Sequence, residues 1–460
     1  MADVKHKVER AAFGAAIDGI LKYVNKDEAD REKAFLKLVD LSEKFMGDTF
    51  RKESYDAARR MIQDPDSKWM QYVNRILNEV DPHVIKMSAL DYGFEAAFCG
   101  KKEINEMRVK HQCNIPWLIL MDPTSACNLH CTGCWAAEYG HQQSLTFEEN
   151  LSFEDMDRIV TQGKELGIYL YFFTGGEPLV RKDDIIRLCE KHDDCGFHAF
   201  TNGTLIDEKF CQEMKRVGNF SVAISLEGFD EVNDLRRGKG VFDKVMHAMD
   251  LMKQYGLIFG TSICYTSKNY KVVTSDEFLD MIIEKGARFS WYFHYMPVGN
   301  DASTELLLDP DQREYMYHRI REIRAMKGGK PIFAFDFQND GEYVGGCIAG
   351  GRNYCHINPN GDVEPCVFIH YSGANIKEVD LLTALKQPLF MAYRVNQPFN
   401  CNHLKPCPML ENPEILQRMV HETGAHSTDL QSPESVEHLC GKCAEYAKNW
   451  DERAQKLWNK

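Results

Sequence analysis

Long apolar runs are missing from this 460-residue chain: the longest, such as WLILM at 117–121, are strand-sized. A bilayer span needs about twenty, so a transmembrane protein is excluded. Positive charge is also scarce. Lys and Arg number 55 against 69 Asp and Glu, a net charge of −14, and no basic tract reverses that locally. A phosphate backbone or anionic membrane would be repelled, which argues against a nucleic-acid partner. The opening MADVKHKVERAAFG carries charge ahead of any apolar stretch and has no small-residue cleavage site. It does not read as a secretory signal, and a cytoplasmic location is expected. Neither a solenoid repeat nor a low-complexity linker is present. Composition is otherwise ordinary, 44% hydrophobic and 27% charged, with length for two or three domains or one large α/β core with additions.

Cysteine, by contrast, is plentiful. Sixteen in a chain without an export signal point to metal or redox chemistry in a reducing compartment rather than to disulfides. Cys127, Cys131 and Cys134 fall within eight positions, and seven more lie between Cys347 and Cys443. The other six (Cys99, Cys113, Cys189, Cys195, Cys211, Cys264) read as small core residues.

Three regions follow from the patterning. Residues 1–110 show helical periodicity, with Phe13, Ile17, Ile20, Leu21 and Val24 on one face; DPDSKW (64–69) and DPH (81–83) supply turn and N-cap signals. Four or five short helices are expected, forming a cap or a surface for a partner. Over 111–330, strand-like runs at 116–122, 168–173, 196–201, 219–226, 258–266 and 288–296 alternate with helical stretches. Six such units predict a parallel sheet with right-handed crossovers, an open, partial (β/α)6 TIM-like barrel with its chemistry at the C-terminal strand ends. Over 331–460 the regularity stops: one more strand at 331–337, a hairpin at 354–369 turning on Asn360-Gly361, cysteine-rich loops, and a final helix near 440–457.

The spacing Cys127-x3-Cys131-x2-Cys134, on the loop after the first strand, suits three thiolates on one face of a metal cluster. A [4Fe–4S] cubane held by three protein ligands keeps one iron open for a ligand that is not protein. A zinc site completed by His130 or a distant residue is the alternative. The motif resembles the radical S-adenosylmethionine (SAM) superfamily, in which the SAM amino and carboxylate groups bind the open iron. The resemblance extends to the following strand ends. TGGEP (174–178) implies SAM contacts from Gly175, Gly176 and Glu177, although alone it would be a tight strand-to-helix turn. TNGT (201–204) implies Asn202 and Gly203 beside the ribose. SLEG (225–228) implies Ser225 and Glu227, the latter where Asp is more usual, and RRGKG implies that Arg236 or Arg237 pairs with the carboxylate. YMPVG (295–299) implies Met296 against the adenine, and by itself is an ordinary strand-ending loop.

Cys347, a 13-residue spacer, Gly361, four residues and Cys366 match the opening of the family's SPASM or Twitch auxiliary-cluster domains. Cys355 lies between them, and Cys401, Cys407, Cys440 and Cys443 follow. The full SPASM pattern would have cysteine where Pro398 and Glu411 stand. One complete auxiliary [4Fe–4S] cluster is therefore expected, from Cys347, Cys355, Cys366 and one later cysteine. A second, incomplete or zinc-like site could use the rest with His403 or His438.

The resemblance implies an enzyme that cleaves SAM reductively to a 5′-deoxyadenosyl radical, which takes hydrogen from an unactivated C–H bond. It also implies an electron donor such as flavodoxin or ferredoxin, and the oxygen sensitivity of clusters suggests an anaerobic host. The expected substrate is a peptide or protein side chain. The alternative is C–C bond formation or adenosylation on a lipid-like or small molecule. It is favoured by Gly133, where peptide-modifying members commonly have an aromatic residue, and by the lack of a leader-binding pattern at the N-terminus. A non-catalytic electron carrier would need closed clusters and no ligand-binding glycines. No general acid or base is singled out; Glu138, Tyr139, His294 and Asp336 stand near strand-end loops.

Overall fold

The computed structural model describes residues 2–25, 30–46, 52–139, 150–430 and 432–459. The N-terminal region is helical: α1 (Ala2–Val24), α2 (Arg31–Met46), α3 (Lys52–Gln63), α4 (Lys68–Glu79), α5 (Pro82–Ser88), a π-helical stretch over Ala89–Gly100, and α6 (Lys101–His111). The expected cap signals act as such: the Ser67 side chain accepts from Met70 N, and Asp81 accepts from His83 N ahead of Pro82. The helices are more numerous, and α1 longer, than expected. Buried ion pairs rather than apolar stripes alone hold them: Arg10 of α1 reaches Asp91 at 2.9 Å and Glu95 at 3.1 Å in the π-helical stretch. On α4, Arg75 donates to the carbonyls of Ile283 (2.6 Å) and Ala287 (3.3 Å), docking this region against the barrel.

The barrel runs β1 (Leu118–Met121), α7 (Phe153–Lys164), β2 (Leu170–Phe173), α8 (Lys182–Lys191), β3 (Gly196–Thr201), α9 (Glu208–Val217), β4 (Phe220–Ser225), α10 (Asp230–Arg237), α11 (Val241–Gln254), β5 (Phe259–Tyr265), α12 (Asp276–Glu284), β6 (Phe289–His294), α13 (Pro310–Ile323) and β7 (Phe333–Asp336). The helices carry apolar faces onto the sheet; α7, for example, buries Phe153, Met156, Ile159 and Val160 behind a Ser152–Asp155 capping box. Of these elements only α10 was unforeseen, since its sequence DEVNDLRR has little apolar periodicity.

After α14 (Gly341–Val344), β8 (Tyr354–Ile357) pairs in parallel with β1, Leu118 opposite Tyr354 and Leu120 opposite His356, and β9 (Val363–Glu364) turns back antiparallel to it. Among the described residues the sheet has nine strands in the order β7-β6-β5-β4-β3-β2-β1-β8-β9. The expected division at 330 is not a break in this sheet: β7 and β8 extend it at its two ends. The architecture is α/β with a mostly parallel, curled sheet of more than six strands. The remainder comprises β10 (Tyr371–Ser372), α15 (Leu381–Ala384), α16 (Pro388–Asn396), α17 (Pro413–Thr423), β11 (His426–Ser427) and α18 (Val436–Trp458). Among the described residues no helix is long and apolar enough to cross a membrane.

Candidate functional site

All parallel strands point the same way, so the loops after β1 to β6 gather at one edge. The loop after β1 is laced to its neighbours by backbone. Gly176 N donates to Thr124 O at 3.0 Å and Glu177 N to Ala126 O at 2.8 Å, while Thr132 N donates to Arg236 O at 3.0 Å. This close approach explains the glycines. A Cβ on Gly176 would stand 2.2 Å from Ala126 O, and one on Gly175 (φ +102°) 2.7 Å from the Asp122 Cβ. Cys127, Cys131 and Cys134 thereby line one cavity of about 730 Å³ together with Gly175, Gly176, Glu177, Asn202, Ser225, Arg236, Arg237 and Met296.

Two expected contacts fall outside that lining. Gly203 packs on β4, where a Cβ would come within 2.7 Å of Ile224 Cγ2. Glu227, 1% exposed, sits behind the arginines: its Oε1 accepts from Arg236 at 2.6 Å and Arg237 at 2.5 Å. It aims both guanidinium groups at the cysteine loop, with Arg236 Nε 3.1 Å from Thr132 O and Arg237 Nη1 3.9 Å from Cys131 Sγ. Glu177 is a clasp between β2 and β3, accepting from Leu179 N (3.0 Å), Thr201 Oγ1 (2.5 Å) and Asn202 N (2.7 Å). Burial holds its carboxyl above the usual range. Asn202 Nδ2 lies 4.0 Å from Cys127 Sγ.

Burial pushes the Cys127 thiol up to about 12 and raises Cys131, with Arg237 pulling the latter back. Such thiols deprotonate when a metal takes the sulfur. Among the described residues the three sulfurs do not form a set within 4.8 Å of one another, and His130 is exposed. A mononuclear zinc site does not fit; three soft donors spread around a larger inorganic group do. Gly133 (φ +67°) has its space filled from β6: a Cβ there would be 2.9 Å from the Tyr295 ring. The aromatic group expected in this loop is thus supplied from another strand end.

The later cysteines divide. Cys347, Cys366 and Cys407 line a second small cavity with Met296 and Tyr354, and Tyr354 Oη donates to Cys366 Sγ at 2.7 Å. Burial pushes Cys347 to about 11 and Cys366 to about 12. Cys355 is not brought to them. It pairs with Ile119 on the face of β8 opposite Tyr354 and His356, because strand residues alternate. Cys440 and Cys443 are buried one turn apart on α18, and Cys401 is exposed. Glu411, in a family cysteine position, accepts from Cys407 N (2.7 Å) and pairs with buried Arg313 at 2.7 Å. His403 packs on Trp458 and His438 bonds Glu434, so neither joins the thiols.

Sequence reasoning missed what lies below the SAM-motif residues. Phe172, Phe200, Trp291, Phe293, Phe333 and Phe335 wall the rest of the large cavity. Their period-two spacing in FSWYF and FAF was the available signal. Cys264, expected in the core, also faces this cavity. His294 is held neutral, pushed to about 3 by burial and bonded to Tyr295 O (2.6 Å) and Tyr446 (3.1 Å). Burial raises Asp336 to about 6, and Tyr265 donates to it at 3.0 Å. The side chains of Glu138 and Tyr139 lie outside the described residues.

Comparison with known proteins agrees with this geometry. The radical SAM superfamily model matches residues 121–282, and the SPASM iron–sulfur cluster-binding domain model matches 347–408. The Fe-coproporphyrin III synthase of Methanosarcina barkeri is 26% identical over 49% of this chain, which spans only 57% of that relative's length. The AdoMet-dependent heme synthase of the same organism is 24% identical over 73% of the chain and 90% of its own. The mycofactocin maturase MftC of Mycolicibacterium smegmatis is 28% identical over 55% of the chain and 64% of its own. In fold, the chain resembles Streptococcus suis SuiB bound to S-adenosylmethionine, with a TM-score of 0.55 at 16% identity, covering 86% of this chain and 88% of that one. The radical SAM domain implies a [4Fe–4S] cluster and SAM, and the SPASM domain implies auxiliary iron–sulfur clusters. With three thiols converging beside the glycine-laced strand ends, and three more around a second cavity, the chain belongs to the radical SAM superfamily as an enzyme with a SPASM-type auxiliary-cluster domain.

Proposed function

We propose that this enzyme removes a hydrogen atom from an unactivated C–H bond of an apolar group held inside the barrel. The observation that carries this reading is the single cavity shared by Cys127, Cys131, Cys134, the strand-end polar residues and the aromatic wall. Cys127, Cys131 and Cys134 would hold the SAM-binding cluster, which when bound supplies the electron that cleaves SAM to a 5′-deoxyadenosyl radical. The chain's own part is positioning. Gly175 and Gly176 let the β2 loop lie against the cysteine loop, Arg236 and Arg237 offer cations for the SAM carboxylate, and Asn202 and Ser225 offer polar groups at the cavity wall. The apolar wall below excludes water, which protects a radical from side reactions. Cys347, Cys366 and Cys407 would hold an auxiliary cluster, with Cys440 and Cys443 as further donors.

The peptide or protein side chain expected from the sequence is the second reading. The name of the mycofactocin maturase supports it, as does the description of SuiB bound to its precursor peptide SuiA. The aromatic lining favours the lipid-like alternative. The heme synthase and Fe-coproporphyrin III synthase relatives show that small-molecule chemistry accompanies this sequence type. A cytoplasmic location and a flavodoxin- or ferredoxin-type donor accord with it.

The test is 5′-deoxyadenosine formation by anaerobically reconstituted protein given SAM and dithionite. Changing Cys127, Cys131 and Cys134 together to Ala is expected to abolish that product and leave iron at the C-terminal cysteines. No product from wild type with intact clusters would refute the reading; loss of all iron from the triple variant would refute the two-site division.

A further inference from the structure

The aromatic half of the large cavity has a shape and a polarity that narrow the substrate. Phe333, Phe335 and Phe337 face it at every second position of β7 and just beyond, a run of roughly 13 Å at the rise of an extended strand. Their rings are continuous with β6 and β3: Trp291 stacks on Phe335 at 4.3 Å and 15°, Phe293 meets Phe337 at 5.3 Å, and Phe200 meets Trp291 edge-on at 6.0 Å. The wall begins beside the cysteine loop. It ends where Trp117 and Arg324 lie near the N-terminal ends of β1 and β7, and where Tyr343 and Val344, 63% and 44% exposed, border the open edge of β7.

Charge in this half is already taken. Arg324 pairs with Asp340 through two bonds of 2.8 Å, and Asp336 accepts from Tyr265 (3.0 Å) and Asn339 (2.8 Å). His294 spends both ring nitrogens on protein partners. An extended peptide laid here would strand its backbone N–H and C=O groups against phenyl rings, at a cost for each that a purely apolar chain avoids.

We propose that the reacting part of the substrate is a linear alkyl chain. It lies along the β6–β7 aromatic wall with a C–H bond beneath the cysteine loop, and its polar head stays at the mouth bordered by Trp117, Arg324 and Tyr343. This rests on the reading of the cysteine loop as the SAM site. Such a chain could come from a free long-chain acid or from the acyl chain of a phospholipid.

The experiment uses the reconstituted full-length holoenzyme with SAM and dithionite, in one arm with perdeuterated hexadecanoate and in the other with phosphatidylcholine vesicles carrying perdeuterated acyl chains. Transfer breaks one C–D bond of the chain and forms one at the 5′ carbon, leaving the chain carbon as a radical. The expected result is 5′-deoxyadenosine carrying one deuterium from one of the two arms, which also identifies the source. 5′-Deoxyadenosine formed without deuterium in both arms overturns the inference and leaves the radical SAM reading intact; no 5′-deoxyadenosine at all would count against that earlier reading instead. Binding gives an independent measure. Alkyl carboxylates of increasing length should displace cis-parinaric acid about fourfold more tightly per added methylene until the wall is filled. Phe335→Asp should weaken displacement at least tenfold and Phe335→Leu only a few-fold, folding being checked by circular dichroism. Displacement independent of chain length, or equally good by an apolar peptide, also overturns the inference.

Discussion

His356 is the place where one substitution should loosen the cysteine loop without touching it. The imidazole is fully buried between two carboxylates, 3.0 Å from Asp122 and 2.6 Å from Glu364. Asp122 ends β1, directly ahead of the loop that carries Cys127. Glu364 is anchored from the C-terminal region by Asn358 (3.1 Å) and Thr428 (2.5 Å). Trp135, next to Cys134, meets His356 edge-on at 5.9 Å. Burial alone would lower the imidazole pKa, but the carboxylates outweigh it and hold it at about 10, so the ring is a cation at neutral pH. His356→Gln removes that cation and leaves two buried carboxylates facing each other. Breaking a buried pair in this way costs about 3–5 kcal/mol. At about 1.4 kcal/mol per decade, amide exchange protection in β1 and β8 should fall by about 10² to 10³. Hydrogen-exchange mass spectrometry of peptides covering 116–135 and 354–366 measures this, with iron content read on the same samples. The sign with pH follows from the raised pKa. The clamp's contribution is fully present below about 6.5, the ordinary histidine value, and is lost as pH rises through about 10, so wild-type protection should decline in alkali while the variant's stays flat over that window. Unchanged protection in the variant at pH 7 would refute the reasoning.

Gly176→Ala forces a methyl to within 2.2 Å of a backbone oxygen that cannot yield, so it should destabilise the loop by more than the ~1–3 kcal/mol of ordinary overpacking and lower iron bound at Cys127, Cys131 and Cys134, read by iron analysis and the cluster's electron paramagnetic resonance signal. Cys355→Ala should leave total iron unchanged, whereas Cys366→Ala should remove the auxiliary iron; equal losses would put Cys355 back among the ligands. Glu227→Gln leaves two arginines without their shared anion and should weaken SAM binding about tenfold by isothermal titration, about 1.4 kcal/mol, with cluster content retained.

Reading the sequence reached the elements because their signals are local. The alternation of strand-like and helix-like runs placed β1 to β7 closely, and Ser67 and Asp81 announced their caps. It missed α10, whose DEVNDLRR is polar on nearly every face and is held by tertiary contacts, Asn233 and Asp234 bonding neighbouring backbone at Glu227, Gly240 and Phe242. The SAM-site residues were legible as types at fixed spacing, but their jobs were not: Glu227 and Gly203 stand behind the cavity, and Gly175 and Gly176 make room for backbone as well as for a ligand.

By itself the sequence determined the chemistry available: three thiols at a strand end, glycines at the next, and a second cysteine cluster, all set by spacing along one short stretch of chain. Which distant groups meet was decided only by folding. Pleating turned Cys355 away from Cys347 and Cys366, β8 joined the sheet beside β1, Tyr295 filled the space above Gly133, and phenyl rings from four strands closed into one wall. Those outcomes depend on strand register and sheet curvature, which arise from contacts between residues tens to hundreds of positions apart.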